Sequence, residues 1–543
     1  MRWIYHALCP AKPFPKSRYA AVRTLYQPGL ASNREILDSE ALVLHFPAPR
    51  TVTGEDVLEL HVHGGSATVK AVLAGIAACG GHSRNNDSHT SHGIIRYAEP
   101  GEFTRRAFLN DRLDLAQVEA LSSTLSAETE QQRRAAVRGN SGSLGRTYDG
   151  WRFQLLQARA EMEALIDFSE DQHFDESPAS LAANVTAQVL QMLASIELHQ
   201  EAGQRGELLR SGIKIALLGP PNVGKSSLMN QLVGREASIV SGESGTTRDI
   251  VEANLDIRGY LCTFADTAGF RSAATLAEAD TPIGAVEEEG IRRARAKALD
   301  SDVILVLASV EPRASGTGAS PGNKVKHEDD ETHEIRYDRE TLTLATQAGQ
   351  CLVVINKRDS LPPKQLDALV SSFERDVLSR IPGLERSHKP LLISCQEAIS
   401  SSSSQTVAAA AAHTHTSTPA GPSDAITGAS SSTRPYHQDP GGITSLADTL
   451  VSSFAAMTAL PPDMQDLHGV TERQRQLLAQ CRSYLAAYLE TVGAGAGGDD
   501  IGDDIDITMA AEQLRYAAAC LGRITGRGDA GDVEEILGVI FEK

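Results

Sequence analysis

The stretch "IKIALLGPPNVGKSSLMNQLVG", residues 213–234, constrains this chain more than any other. An apolar run meets G-x-x-x-x-G-K-S at 219–226 and passes into a helical pattern, the order strand, phosphate loop, helix. The glycines let backbone N–H groups curl around phosphate oxygens, and the helix N-terminus adds its dipole. Asn222, Val223 and Gly224 belong to the loop, Lys225 reaches the β- and γ-phosphates, Ser226 ligates Mg²⁺, and Ser227 enters the helix. Taken alone, the motif serves ATP or GTP.

Short apolar runs recur at 213–218, 261–265, 303–307, 351–355 and 391–394, each beside a polar or Gly-bearing loop. That predicts a mostly parallel sheet with binding loops at its carboxyl ends. Three of these loops, and the separate stretch 241–249, carry guanine-nucleotide motifs. "SGESGTTRD" supplies Ser241, Glu243, Thr246 and Thr247, with Thr247 as second Mg²⁺ ligand and sensor of the γ-phosphate. "DTAG" supplies Asp266 near the metal, Thr267, Ala268, and Gly269, whose amide faces the γ-phosphate. "NKRD" supplies Asn356, Lys357 and Asp359, and "SC" supplies Ser394 and Cys395. Asp359 can accept from guanine N1–H and its exocyclic amine; adenine lacks that donor pair, a discrimination of about 10⁴-fold. The predicted ligand is GTP with Mg²⁺.

Many such switches place a water-orienting glutamine after D-x-x-G. Here that residue is Phe270, which can orient nothing. Charge between the β- and γ-phosphates must then be neutralised by an arginine finger or by a monovalent cation. Asn222 could ligate such a cation with carbonyls of 241–247, or could be an ordinary loop residue.

The flanks differ in character. Residues 41–65 read as two strand-like runs, in which His61 and His63 alternate with apolar residues and are strand residues rather than metal ligands. From Leu113 to about Leu209 the pattern is helical, with Leu155, Met162, Leu165 and Ile166 on one stripe and Val185, Val189, Leu193 and Ile196 on another. Helical patterning resumes near Asp463, with a Gly/Asp loop at 493–505. The predicted architecture is therefore multidomain, α/β plus all-α: an N-terminal α/β domain (1–112), a helical domain in two parts (113–208 and 463–543), and an inserted P-loop domain (209–462). The polar tract 311–340 and the Ser/Ala/Thr/His tract 396–440 are expected to be disordered insertions.

Composition sets outer limits. A net charge of −19 excludes wholesale electrostatic wrapping of nucleic acid, although "EFTRRAF" and "IRRARAK" offer local basic faces. Seven scattered cysteines without a C-x-x-C pair form neither a zinc site nor a disulfide framework. No run approaches about eighteen consecutive apolar residues, so no membrane span is expected. The first 34 residues carry six Lys or Arg and no acid, as an organelle-targeting segment or an ordinary domain edge would.

The order "GEDVLELHVHGG", "PGEFTRRAFLNDRLDLAQVEAL", "GPPNVGKSSLMNQL", "SIVSGESGTTRD", "DTAGFR", "VEEEGIRRA", "NKRD" and "RITG…ILGVIF" resembles the MnmE/TrmE family of tRNA-modification GTPases over nearly the whole chain. The resemblance implies an N-terminal tetrahydrofolate-binding domain, a discontinuous helical domain, an inserted Ras-like G domain and a homodimer. It implies action with a FAD-containing MnmG/GidA-type partner on C5 of the wobble uridine of tRNA. Eukaryotic members do this in the mitochondrial matrix, with glycine or taurine as donor. It implies K⁺-dependent association of G domains, with Asn222, Ser241, Glu243 and Thr246 at the K⁺ site and Glu287 as the catalytic glutamate, Glu288 being the alternative register. It implies a 5,10-methylene- or 5-formyl-tetrahydrofolate held by Glu59 and Arg112, the latter standing where lysine is common. Two family features, a Gly-rich start and a terminal F-C-I-G-K, have no counterpart here, so the expectation is an incomplete gene model, or else a GTPase with impaired modification chemistry. The alternatives are an Era-like RNA or ribosome-assembly GTPase, and a folate- and GTP-binding module without modification activity.

Overall fold

The computed structural model describes residues 1–29, 35–80, 95–167, 178–239, 253–265, 295–296, 298–313, 333–384, 389–400, 439, 441–494 and 506–527. The chain forms two compact units: unit 1 comprises 1–125, 136–203 and 469–543, and unit 2 comprises 126–135 and 204–468.

Unit 1 begins with helix α1 (Arg2–Leu8) and a three-stranded antiparallel sheet, β1 (Ala21–Tyr26), β2 (Ile36–Phe46) and β3 (Val57–His61), with β2 central. Helix α2 (Ser66–Cys79) follows. One face of the sheet is apolar: Leu25, Ala41 and Val43 join Tyr5, Leu8, Cys9 and Val72 in a core against which Leu58, Leu60 and Val62 pack. The two-residue period of a strand sends Glu59 and His61 to the other face. Tyr5, Leu8 and Cys9 are buried, so the basic opening segment contributes to the domain core.

The helical part of unit 1 contains α3 (Glu102–Leu109), α4 (Leu115–Leu125), the end of α5 (Glu130–Gly139), α6 (Ser143–Asp167), the first part of α7 (Pro178–Ser211), and two late helices, α12 (Glu472–Ala494) and α13 (Ile507–Thr525). Helix α13 packs on both α6 and α12. The predicted stripes are in this core: Leu155, Met162, Val185, Val189 and Ile196 are buried. The side chains of Leu165 and Ile166 lie outside the described residues. Among the described residues, Ser180–Ser211 is the one helix long and apolar enough to pass a membrane-span criterion. Val185, Val189 and Ile196 on this helix are buried, while Leu190 and Leu198 are exposed.

Chain segments far apart in sequence are joined at Glu119 on α4, whose carboxylate is almost buried. It accepts from Arg473 Nε at 2.5 Å, Gln474 Nε2 at 2.7 Å and Thr471 Oγ1 at 3.1 Å. Arg473 also donates to the carbonyls of Arg523 and Ile524, satisfying the C-terminal end of α13.

Unit 2 is built on an eight-stranded sheet. The strands are β4 (Ile213–Leu218), β5 (Ala237–Ile239), β6 (Ala253–Ile257), β7 (Tyr260–Ala265), β8 (Val303–Pro312), β9 (His333–Arg336), β10 (Gln350–Asn356) and β11 (Leu391–Leu392). Their order is β11-β10-β8-β4-β7-β6-β5, with β9 on β8. Strands β11, β10, β8, β4 and β7 run parallel; β6 is antiparallel to β7, β5 to β6, and β9 to β8. Alternate residues enter opposite cores. Ile215, Leu217, Leu305 and Val354 face a cluster containing helix α8 (Lys225–Arg235) and helix α11 (Ile443–Thr458). Ala216, Leu218, Ile304 and Val353 face a second cluster containing α9 (Arg339–Ala345) and α10 (Pro363–Asp376).

Both predicted insertions need correction at their edges. Within 311–340, Glu311 and Pro312 complete β8, residues 333–336 form β9 in register with it (Val310↔Ile335, Ser309↔Arg336), and Arg339 begins α9. Ile335 is the one buried anchor of β9, and its partner strand, rather than its own composition, orders it. Within 396–440, residues 396–400 are helical and Asp439 bonds to the start of α11. Residues 314–332 and 401–438 lie outside the described residues. The helix before the predicted 493–505 loop runs on through Ala494.

Candidate functional site: a phosphate loop joined to base-recognition loops

Residues 219–226 follow the carboxyl end of β4, the central strand, flanked by parallel β7 and β8. This is the position at which open α/β sheets bind ligands. The loop turns through left-handed backbone at Asn222 (φ 67°) and Gly224 (φ 100°) before α8 begins. A Cβ on Gly224 would stand 2.3 Å from Asn356 Nδ2, so both conformation and space require glycine. Lys225 Nζ donates to the carbonyls of Gly219 (2.7 Å) and Pro220 (2.9 Å), which folds its stem back over the loop. Burial holds its ammonium below the ordinary lysine value, an environment that favours an anionic neighbour. Val223 is fully buried and anchors the loop, while Asn222, Ser226 and Ser227 are exposed. The Ser226 hydroxyl suits Mg²⁺ and the neutral Asn222 amide oxygen suits a monovalent cation.

The base-recognition residues sit at the carboxyl ends of the next strands. Asn356 ends β10 and is almost completely buried. Its Nδ2 donates to the Val223 carbonyl at 2.8 Å, and its Oδ1 accepts from the Cys395 amide at 3.2 Å. One side chain thus ties the phosphate loop to the loop after β11. Lys357 takes a left-handed backbone (φ 63°), and Asp359 lies exposed in the turn that follows. Burial, augmented by the nearby Asp359 carboxylate and opposed by the Asn356 bond, pushes the Cys395 thiol up to about 11, so it is an inert wall.

Sequence reasoning missed several supports of this region. The Arg358 guanidinium donates to Glu397 Oε2 (2.9 Å), and its amide to the Ile393 carbonyl (3.1 Å). The Ser394 amide donates to the Gly441 carbonyl at 2.8 Å, and a Cβ on Gly441 would stand 2.4 Å from the Ser394 carbonyl. The adjacent glycines 441–442, just after the low-complexity tract, were the available signal. Glu311, bonded to Lys357, left no motif at all.

Ser241, Glu243, Thr246, Thr247, Asp266, Thr267, Ala268, Gly269, Phe270, Glu287 and Glu288 lie outside the described residues. In unit 1, Glu59 Oε2 lies 3.2 Å from His61 Nε2, and Arg112 Nε donates to the Thr51 carbonyl at 3.0 Å, so the two residues are held by different neighbours. His63 follows β3, with its amide (2.8 Å) and Nδ1 (2.9 Å) bonded to the buried Asp38 carboxylate. Burial alone would raise Asp38; the amides of His63 and Glu40 and the His63 ring outweigh it and hold the carboxyl below its ordinary range. Among the described residues no group of three or more His, Cys, Asp or Glu side chains is arranged to hold a metal. All seven cysteines are free.

Comparison with known proteins adds a family to this geometry. A model of the MnmE helical domain matches residues 115–543, and one of the GTP-binding protein TrmE N-terminus matches residues 2–112. The tRNA modification GTPase MnmE of Parvibaculum lavamentivorans is 36% identical over 92% of this chain and 84% of its own length. That of Paramagnetospirillum magneticum is 35% identical over 98% of this chain and 91% of its own length. The mitochondrial 5-taurinomethyluridine-tRNA synthase subunit GTPB3 of Homo sapiens is 32% identical over 98% of this chain and 86% of its own length. On this evidence the chain belongs to the MnmE/TrmE family of tRNA modification GTPases.

Proposed function

We propose that this protein is the GTP-hydrolysing subunit of a mitochondrial machinery that modifies C5 of the wobble uridine in tRNA. The observation that carries the nucleotide half is the Asn356 side chain, which joins the phosphate loop to the loop bearing Ser394 and Cys395. Within one rigid frame, unit 2 thereby offers a cradle for phosphates and an exposed Asp359 for the guanine edge. The tRNA half is supported by full-length relatives named for that reaction in bacteria and mitochondria.

Lys225 and the loop amides bind and orient the β- and γ-phosphates, with Ser226 and Thr247 as ligands of Mg²⁺, which neutralises phosphate charge. Since Phe270 cannot orient water, Asn222 with Ser241, Glu243 and Thr246 would hold a K⁺ that would neutralise charge between the β- and γ-phosphates, and Glu287 would hold the water. This arrangement is completed in a homodimer. Glu59 and Arg112 contact a reduced folate that supplies the one-carbon unit, and a FAD-containing partner of the MnmG type supplies the redox chemistry.

The test has two parts. GTP turnover is measured in KCl and in NaCl; clear stimulation by K⁺, lost in Asn222→Ala and in Glu287→Ala, is expected. Equal rates in both salts would remove the cation mechanism. Nucleoside mass analysis of mitochondrial tRNA, from cells whose own enzyme is replaced by this chain behind a proven leader, is expected to show restored wobble modification. A chain that turns over GTP yet restores nothing would refute the tRNA role.

A further inference from the structure

Lys357 stands beside Asn356, two residues before Asp359, on the turn that would meet a purine. Its ammonium lies 3.1 Å from Glu311 Oε1, at the end of β8. Glu311 also accepts from Ser309 Oγ (2.9 Å) on its own strand and from Arg336 Nη1 (3.2 Å) on β9. The cluster is partly withdrawn from water, the Glu311 side chain being 22% exposed and that of Lys357 38%. Burial alone would raise the Glu311 carboxyl, but the bonds from Lys357, Ser309 and Arg336 outweigh it and keep the group below its usual range.

We propose that Glu311 is a positioning residue for guanine recognition: by anchoring the Lys357 ammonium, it fixes the methylene stem of that lysine as a wall of the base site, and β9 steadies Glu311 through Arg336. The proposal rests on the reading of 356–359 as the guanine loop. A free lysine stem has many rotamers, and ordering it when the nucleotide arrives costs affinity. A stem ordered beforehand avoids that cost and presents apolar surface to a flat base. An ordinary ion pair at this exposure would act differently, adding slightly to stability and leaving affinity unchanged. The β8–β9 hairpin, which interrupts the sheet's repeating grammar, would on this view belong to the nucleotide site.

The test uses the full chain, a fluorescent GDP analogue for Kd, and steady-state GTP turnover. Glu311→Gln is expected to weaken binding about fivefold, close to 1 kcal/mol, and to raise KM alike with kcat unchanged. Lys357→Met keeps the stem, loses the ammonium, and is expected to show the same loss. The double variant is expected to be no worse than the worse single variant, and Glu311→Asp to recover part of the affinity. Arg336→Gln, remote from the base, is expected to give about a twofold loss in the same direction and serves should a Glu311 variant fold poorly. Wild-type affinity in Glu311→Gln, or a double variant showing the product of the two single losses, would overturn the positioning role alone. Failure of the wild-type chain to bind guanine nucleotide saturably would overturn the guanine-loop reading together with it.

Discussion

In unit 2, alternate residues of β4, β8 and β10 enter opposite cores, so that Leu305 and Val306, neighbours in sequence, belong to different clusters. In unit 1, Leu25, Ala41 and Val43 serve a single core, and the far side of β3 presents Glu59 and His61, with side chains 42% and 56% exposed. A sheet buried on both faces has nowhere but its strand ends to place chemistry, and its site is assembled there from backbone turns. A sheet buried on one face can carry chemistry anywhere along its open side. The first arrangement makes a site rigid and redundant in its supports; the second leaves each candidate side chain dependent on one or two local bonds, as the Glu59 carboxylate lies against His61 Nε2.

The sharpest way to break this comparison is at the most crowded point of the strand-end site. Gly224→Ala forces a side chain into left-handed backbone and into the Asn356 amide. Strain of about 1–3 kcal/mol combines with the loss of a buried bond worth about 1–3 kcal/mol, so nucleotide affinity is expected to fall by about 100- to 1,000-fold. Calorimetric titration with GDP measures it. A loss under about tenfold would show that the site tolerates movement of its phosphate loop and is not the rigid frame argued above.

Next in size is a substitution in the helical part of unit 1, where no strand ends exist and rigidity must come from side chains. Glu119→Ala leaves Arg473 and Gln474 without their acceptor. Breaking a buried pair costs about 3–5 kcal/mol, and the partial exposure of Arg473 places the expectation near the lower end, about 3 kcal/mol. Denaturant unfolding followed by the fluorescence of Trp3 and Trp151, the two tryptophans of the chain and both in this unit, reads the loss. Turnover of GTP by the folded fraction is expected to persist.

The same contrast explains what the sequence disclosed. Strands β4, β8 and β10 were legible because burial on both faces writes them as unbroken apolar runs, and the phosphate loop because its glycines are demanded by backbone. The Glu119 network was not legible, since its partners lie more than 350 positions away and no spacing rule reaches across them. Strand β9 was missed because only Ile335 of its four residues is buried and its order comes from β8. Glu311 looked like one more acid in a charged tract; only the β8–β10 pairing, with Ser309 opposite Asn356, brings it to Lys357. Nor could a sequence show that Asp38 lies behind His63, 25 residues on, because that depends on the turn after β3.

A smaller effect probes burial in unit 1 through pH. Burial pushes the His199 imidazole down to about 4, with the Tyr148 hydroxyl 3.3 Å from Nδ1 and the Trp151 ring packed at a tilt, centroids 4.8 Å apart. The unfolded chain, with an ordinary histidine value of about 6.5, binds the proton more readily than the fold does. Stability therefore rises with pH between about 4 and 6.5 and is constant above that window. The full shift corresponds to about 3 kcal/mol, and since His199 is not wholly enclosed about 2 kcal/mol is expected. Asp114, raised by burial, works in the opposite direction at the acid end. The informative quantity is therefore the difference between the wild-type chain and His199→Phe in unfolding midpoint at pH 7 and pH 4.5. A variant retaining the whole acid-induced loss would assign it to other groups.

The smallest effect separates support from site in unit 2. The Asp439 carboxylate accepts from the Thr444 amide (3.1 Å), the Ser445 amide (2.9 Å) and the Ser445 hydroxyl (2.7 Å), capping α11. That helix buries Ile443, Leu446, Leu450 and Phe454 in one of the two cores, while Gly441, just before it, accepts from the Ser394 amide of the base-recognition loop. If the cap serves the helix alone, Asp439→Ala lowers the stability of unit 2 by about 1 kcal/mol and changes guanine-nucleotide affinity by less than about twofold. The redundant supports of the strand-end site predict this outcome, because Ser394 remains tied through Glu397 and Cys395 through Asn356. A loss of affinity beyond about tenfold, with stability little changed, would mean that the base loop leans on the cap itself, and that rigidity here comes from one chain of bonds rather than from the two-sided sheet.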